Sequence, residues 1–119
     1  MNEDNQKVSI VLPVYNAQNT LASCLDSLLA SSYEDLEIIV IDDNSTDRSH
    51  SILKIYKKLD KRIKIYHNVK RYGQSICLNR ALKHLSGRYV NFMSASDSIT
   101  KDKIRKQVQY LQANKKIVR

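Results

Sequence analysis

Glycine and proline are scarce in this sequence: two glycines and one proline in 119 residues, with no tryptophan. Flexible and extended linkers are rich in the first two, so linker and low-complexity segments are excluded, and one small domain fits the length. Cysteine is scarce as well. Cys24 and Cys77 both fall in apolar, helix-spaced stretches, with no CxxC and no neighbouring Cys/His pair. That argues against a zinc site of any kind and reads as reduced, buried thiols in a cytosolic compartment. No apolar run approaches the roughly 18 residues that a membrane span needs. The opening MNEDNQK is acidic and polar, unlike a signal peptide. Residues 1–6 read as a disordered tail and 7–119 as the domain.

Acidic residues are nearly missing from the second half. Residues 51–119 carry three acids against eighteen bases, a balance of +15, whereas residues 1–50 carry nine acids against two bases, a balance of −7. Such asymmetry suggests a polyanion partner or an anionic membrane surface, and a solvated basic face is the plainer alternative. A nucleic-acid partner is set aside, because the basic half has no aromatic stacking platform and no recognisable motif.

The apolar residues that are present alternate between two patterns. VSIVLPVY (8–15), EIIVI (37–41), IKIYH (63–67) and YVNFM (89–93) are short, β-branched runs and read as strands. Between and after them, Leu21/Cys24/Leu25/Leu28/Leu29, Ile52/Ile55/Tyr56/Leu59, Ile76/Leu78/Ala81/Leu82/Leu85 and Ile104/Val108/Leu111 mark helices. Asn44 or Ser45 is the expected N-cap of the second helix, Thr100 that of the fourth, and Gly87 the expected stop of the third. The order βαβαβαβα implies an α/β fold with a mostly parallel sheet and helices on both faces.

Ligands of such sheets bind outside the carboxyl ends of the strands. Three polar clusters fall there: PVYN, DDNS and SASDS. Pro13 weakens the ladder at the end of its strand and lets the backbone turn outward. Tyr15 offers a ring for a flat base, or is simply an edge tyrosine. Asp42 and Asp43 are neighbours in an extended stretch, so they point to opposite faces and do different work. A carboxylate there accepts hydrogen bonds from an imide N–H or ribose hydroxyls; the alternative is an acid cluster favoured by the helix dipole. His67 ends a strand and can face a ligand, although a single histidine is more often packed or at the surface. His84 falls on a basic helix face open to solvent.

Taken together, VSIVLPVYNAQNTLASCLDSLL, EIIVIDDNSTDRS and RYGQSICLNRALKHLSGRYVNFM resemble family 2 of the nucleotide-sugar glycosyltransferases. The resemblance runs from residue 7 to about residue 116. It implies a Rossmann-like fold of the GT-A type, truncated, and a hexosyltransferase activity in polysaccharide assembly. The donor would be a nucleoside-diphosphate sugar, UDP-linked, and the acceptor a saccharide or lipid-linked molecule. By resemblance, Pro13, Tyr15 and Asn16 line the nucleotide pocket, Asp43 reads the uracil with Asp42 supporting the turn, and Gly73 sits in the loop over the base. Arg71 is placed near phosphate from its charge alone.

One motif departs from the family. Where the family has F-L-D-A-D-D, this chain has Phe92-Met93-Ser94-Ala95-Ser96-Asp97. Two acids have become serine. A divalent cation, Mg2+ or Mn2+, neutralises the departing diphosphate in such enzymes and needs only one or two carboxylates plus phosphates. Asp97 is the one acid left for a metal, and Ser96 is placed beside the nucleotide. The other reading is a binding module whose chemistry is weakened. The chain ends at Lys115-Lys116-Ile117-Val118-Arg119, the start of a fifth strand. No acid stands where the resemblance implies a catalytic base, so the catalytic residue is unassigned. A cytoplasmic location follows, with peripheral contact at the inner face of an anionic membrane as an added reading.

Overall fold

The computed structural model describes residues 5–114. The expected alternation is present as β1 (Val8–Val14), α1 (Leu21–Leu29), β2 (Leu36–Asp42), α2 (Ser49–Leu59), β3 (Ile63–His67), α3 (Gln74–Leu82), β4 (Tyr89–Phe92) and α4 (Lys103–Ala113). The strands form one sheet in the order β3-β2-β1-β4, parallel throughout. Strands β1 and β2 are almost unbroken Val, Ile and Leu because both of their faces are covered. The edge strands β3 and β4 are shorter and partly exposed.

The two faces carry unequal layers. Ile10, Leu12, Ile38 and Val40 pack against Leu21, Leu25 and Leu28 of α1, Leu53 of α2, and Ile104 and Val108 of α4. On the other face Val11, Ile39 and Ile41 pack with Cys77 and Ala81 of α3. Strand alternation sends every second residue to each layer, so Asp42 belongs to the α2 side and Asp43 to the α3 side.

At the amino end of the α3 face lies a buried polar knot. Glu37 is 2% exposed. Its carboxylate accepts from the Ser9 hydroxyl, the Ser86 N–H and hydroxyl at 2.6 and 2.8 Å, and the Lys64 ammonium at 3.1 Å. Burial pushes this carboxyl up, but the Ser9, Ser86 and Lys64 donors outweigh it and bring the pKa from 4.5 down to about 2. The Ser9 oxygen in turn accepts the Gly87 N–H at 2.8 Å.

That contact corrects the expectation for Gly87. Helix α3 ends at Leu82, with Lys83 at its C-cap. Gly87 is needed for close approach: a Cβ there would sit 2.5 Å from Ser9 Oγ and 2.7 Å from Ser9 N. Two expected caps are also displaced. Helix α2 begins at Ser49, whose N–H is held by Asp47 Oδ1 at 2.8 Å. Asn44 has a φ of 60°, and Ser45 Oγ accepts from the Asn16 N–H, so both are spent on the turn before the helix. Helix α4 begins at Lys103, and Thr100 contributes its carbonyl to the Lys103 N–H rather than a side-chain cap.

Of the expected tail, residues 1–4 lie outside the described residues. Asn5 Oδ1 accepts from the Lys7 N–H, and Gln6 bonds Gln112 at 2.7 Å and, through its carbonyl, the Tyr33 hydroxyl. The fifth strand expected at 115–119 also lies outside them. Among the described residues no helix is long and apolar enough to cross a membrane.

Candidate functional site

The chain runs β1 to β2 to β3 outward on one side, then returns to place β4 on the other side of β1. The crevice beyond the carboxyl end of β1 is therefore the switch point where α/β sheets take ligands. A pocket of about 260 Å3 lies there. Pro13, Val14 and Tyr15 supply one wall from the end of β1, and Asp43 supplies another from the end of β2. Arg71, Gln74 and Cys77 close it from the α3 side, and Ser94 from beyond β4.

Asp43 is the best-determined group in the pocket. Its Oδ1 accepts from Asn68 Nδ2 at 2.9 Å and the Tyr72 N–H at 2.8 Å, and its Oδ2 accepts from the Gly73 N–H at 2.9 Å. Its own N–H bonds the Val14 carbonyl at 2.8 Å, which fixes the backbone. Burial raises the carboxyl, but the donors of Tyr72, Asn68 and Gly73 prevail and hold it below the usual carboxylate range. Near neutral pH Asp43 is thus ionised and purely an acceptor. Gly73 makes this possible because a φ of 94° turns its N–H toward Asp43 at the head of α3.

Tyr15 is half exposed, and its ring is not bare. The Arg71 guanidinium lies 3.7 Å from the ring centroid, with its Nε 4.0 Å from Asp43 Oδ2. A planar cation therefore rests where a flat base would stack. Cys77, buried beneath, accepts from Asn68 Nδ2 at 3.4 Å, and burial and the Asp43 charge push its thiol up.

The remaining expected site residues stand apart from the pocket lining. Asn16, with a φ of 47°, turns its amide to the loop before α2: Oδ1 accepts from the Thr46 N–H at 2.8 Å and Nδ2 donates to Thr46 Oγ1 at 3.2 Å. Asp42 faces the α2 side, where Oδ1 accepts from the Ser45 N–H at 3.2 Å and Oδ2 lies 3.1 Å from His67 Nδ1. Ser96 and Asp97 are exposed in the turn after β4. The Ser94 and Ser96 hydroxyls bond each other at 2.8 Å, and the Asp97 N–H bonds the Ser94 carbonyl at 3.0 Å. Cys24 lies under this turn, its thiol 3.8 Å from the Ser94 carbonyl and pushed up to about 11 by burial and by Asp97.

Asn68, Tyr72, Gln74 and Cys77 were not expected among the site residues, whereas Ser94 belongs to the expected SASDS cluster. Asn68 directly follows a strand, and the same rule that singled out the ends of the other three strands applies to it. Cys77 is four residues past Gly73, which puts it on the pocket side of the first helical turn. A larger cavity lies elsewhere, about 590 Å3 along β4 and α4, among Tyr89, Phe92, Ile104 and Tyr110. It flanks an edge strand, and its polar lining residues Asn91 and Gln107 bond each other at 2.9 Å.

The family model "Glycosyl transferase family 2" matches residues 9–118. This chain belongs to that family. It is 37% identical over 110 residues to "Glycosyltransferase GlyA" of Streptococcus pneumoniae serotype 4, covering 89% of this chain and 16% of GlyA. It is 36% identical over 104 residues to "Putative teichuronic acid biosynthesis glycosyltransferase TuaG" of Bacillus subtilis, covering 87% of this chain and 41% of TuaG. The chain thus spans less than half the length of either relative. Among solved structures, Staphylococcus aureus TarS 1–349 in complex with UDP-GlcNAc superposes with a TM-score of 0.84 at 26% identity, over 91% of this chain and 32% of that 1–349 chain. The mannosyltransferase PcManGT of Pyrobaculum calidifontis, in complex with GDP-Man and Mn2+, shares the fold at a TM-score of 0.83 and 24% identity, over 92% of this chain and 33% of that one. The Rossmann-like α/β fold and the family are as the sequence led one to expect.

Proposed function

We propose that this chain is the donor-binding half of a glycosyltransferase that moves a hexose from a UDP-sugar to a saccharide or lipid-linked acceptor. The observation that carries the reading is Asp43, an ionised acceptor held rigidly beside Tyr15 at the switch point of the sheet. A uracil ring presents an imide N–H, which an ionised carboxylate reads by a charge-assisted hydrogen bond. Tyr15 supports the flat face of the base once Arg71 moves aside, and the displaced guanidinium is long enough to meet the diphosphate. The likeness to TarS, whose structure holds UDP-GlcNAc, supports UDP as the nucleotide. The likeness to TuaG, a putative teichuronic acid biosynthesis glycosyltransferase, supports a role in polysaccharide assembly. Rest on an anionic membrane through the basic second half belongs to the same reading.

A divalent cation fits the turn after β4 only as a one-carboxylate site. Asp97 is exposed and would hold it, with Ser94 and Ser96 hydroxyls near bound water and nucleotide phosphates completing the shell. When bound, the cation neutralises charge on the departing diphosphate. The chain's own residues bind and orient the donor. Proton removal from the acceptor falls to a base that no described residue supplies. The pairing of the Ser94 and Ser96 hydroxyls favours a second reading, a nucleotide-binding module with weakened chemistry.

Calorimetric titration of UDP with and without Mn2+ tests both. Asp43→Ala is expected to weaken UDP at least about tenfold, since a hydrogen bond to a charged group is worth roughly 1.5–3 kcal/mol. For the transferase reading, Mn2+ tightens UDP and Asp97→Ala removes that gain. UDP binding indifferent to Mn2+ and Asp97 leaves the binding module. Absence of UDP binding overturns both.

A further inference from the structure

On the opposite face from Asp43, three groups converge that the nucleotide reading does not use. Asp42 ends β2, His67 ends β3 directly beside it in register, and His50 lies in the first turn of α2. The two Nδ1 atoms are 3.3 Å apart, and they lie 3.1 Å (His67) and 3.7 Å (His50) from the same oxygen, Asp42 Oδ2. A tetrahedral ion with bonds of about 2.0–2.1 Å holds its ligand atoms about 3.3–3.4 Å apart. The edges of the observed triangle, 3.1 to 3.7 Å, bracket that spacing.

Hydrogen bonding serves this triangle in only one pairing of tautomers, with a single Nδ1 protonated. A neutral imidazole carries one proton, and both rings turn the same nitrogen inward. If both Nδ1 atoms are protonated, two N–H bonds face each other across 3.3 Å. If neither is, the buried Asp42 oxygen loses its imidazole donors, although the carboxylate is only 3% exposed. If one is, its N–H bonds Asp42 Oδ2 and the other Nδ1 turns a lone pair to the same point, the arrangement of a ligand atom. A cation satisfies all three at once. The carboxylate is already oriented by the Ser45 N–H on its other oxygen, the kind of second contact that fixes a metal ligand. Two ligands stand at strand ends and one on a helix, so the positions are rigid. His50 and His67 are 46% and 40% exposed and line a groove of about 510 Å3 with Lys54, Lys57 and Lys58.

We propose that Asp42, His50 and His67 form a site for a borderline transition-metal cation, Zn2+ by preference, with three protein ligands and a fourth position open to the groove. The neighbouring lysines favour water or a small anion there. Two imidazoles and one carboxylate suit Zn2+ better than Mg2+, which prefers oxygen ligands throughout. The site is separate from the Asp97 turn and stands or falls independently of nucleotide binding.

The test titrates Zn2+ into the untagged 119-residue chain against a chromophoric chelator, with Co2+ as a spectroscopic substitute. One equivalent should bind, and Co2+ should show the visible absorption of tetrahedral coordination. His50→Ala and His67→Ala should each weaken binding at least about tenfold, while His84→Ala leaves it unchanged. His50 is a surface residue of α2, so its variant keeps the test decisive if His67→Ala fails to fold. No saturable one-to-one binding, or binding indifferent to His50, overturns the proposal.

Discussion

Glu37→Gln changes one charge and almost no volume, and the structure gives the size of the effect. The carboxyl is lowered from 4.5 to about 2 by the Ser9, Ser86 and Lys64 donors, against the effect of burial. At about 1.4 kcal/mol per pKa unit, the ionised form adds on the order of 3 kcal/mol to folding. Because the folded pKa is depressed, that contribution is complete above the unfolded value of 4.5 and is lost as the pH falls through about 2. Glutamine replaces one acceptor oxygen with an amide that points its own hydrogens at the Ser9 and Ser86 donors. The variant should therefore lose about 2–3 kcal/mol near neutral pH. Urea unfolding followed by far-ultraviolet circular dichroism, at several pH values between about 7 and 2.5, measures this. Asp43, Asp47 and Asp60 are also lowered and add their own acid dependence, so the difference between wild type and variant isolates Glu37. That difference should be widest near neutrality and shrink below about pH 4. A gap that stays constant with pH, or no gap at neutrality, refutes the assignment.

Gly87→Ala drives a methyl group to within 2.7 Å of Ser9 N and 2.8 Å of the Lys7 carbonyl, both backbone atoms. The chain should lose about 2 kcal/mol or more, seen as a lower urea midpoint with an unchanged slope; an unchanged midpoint counts against the close approach. Cys24, fully buried with its thiol pushed up to about 11, should resist iodoacetamide near pH 8 in the folded chain and react readily in urea. Equal rates in the two conditions would contradict its burial.

The element order was legible in the sequence because each strand and helix carries its own period, and parallel strands buried on both faces read as plain apolar runs. The strand ends were legible for the same reason: polar residues directly after Val14, Ile41 and Met93 have nowhere else to go in such a sheet. Cap positions were not. DDNSTD contains several capping residues in succession, and only the backbone reveals that Asn44 and Ser45 shape the turn while Asp47 holds the Ser49 N–H. Gly87 misled because glycine after a helical pattern usually reports a helix end, whereas here the demand comes from β1, 78 residues away in sequence. The Asp42–His50–His67 triangle was invisible for a related reason. Its members are spread over 25 residues, and only the parallel pairing of β2 with β3 makes neighbours of the two strand ends.

The Ser9 hydroxyl joins two partners that cannot be exchanged separately. It donates to Glu37 and accepts from Gly87, so each substitution at one of the three positions alters what the other two need. Loss of Glu37 frees the Ser9 proton, and loss of the Ser9 hydroxyl leaves the Gly87 N–H without an acceptor and removes one donor from a buried charge. Effects of paired changes here should therefore depart from the sum of the single ones, as they do within shared networks. A change at Ser9, Glu37 or Gly87 is therefore expected to be tolerated only together with changes at the other two, so this corner of the domain behaves as one unit in mutation.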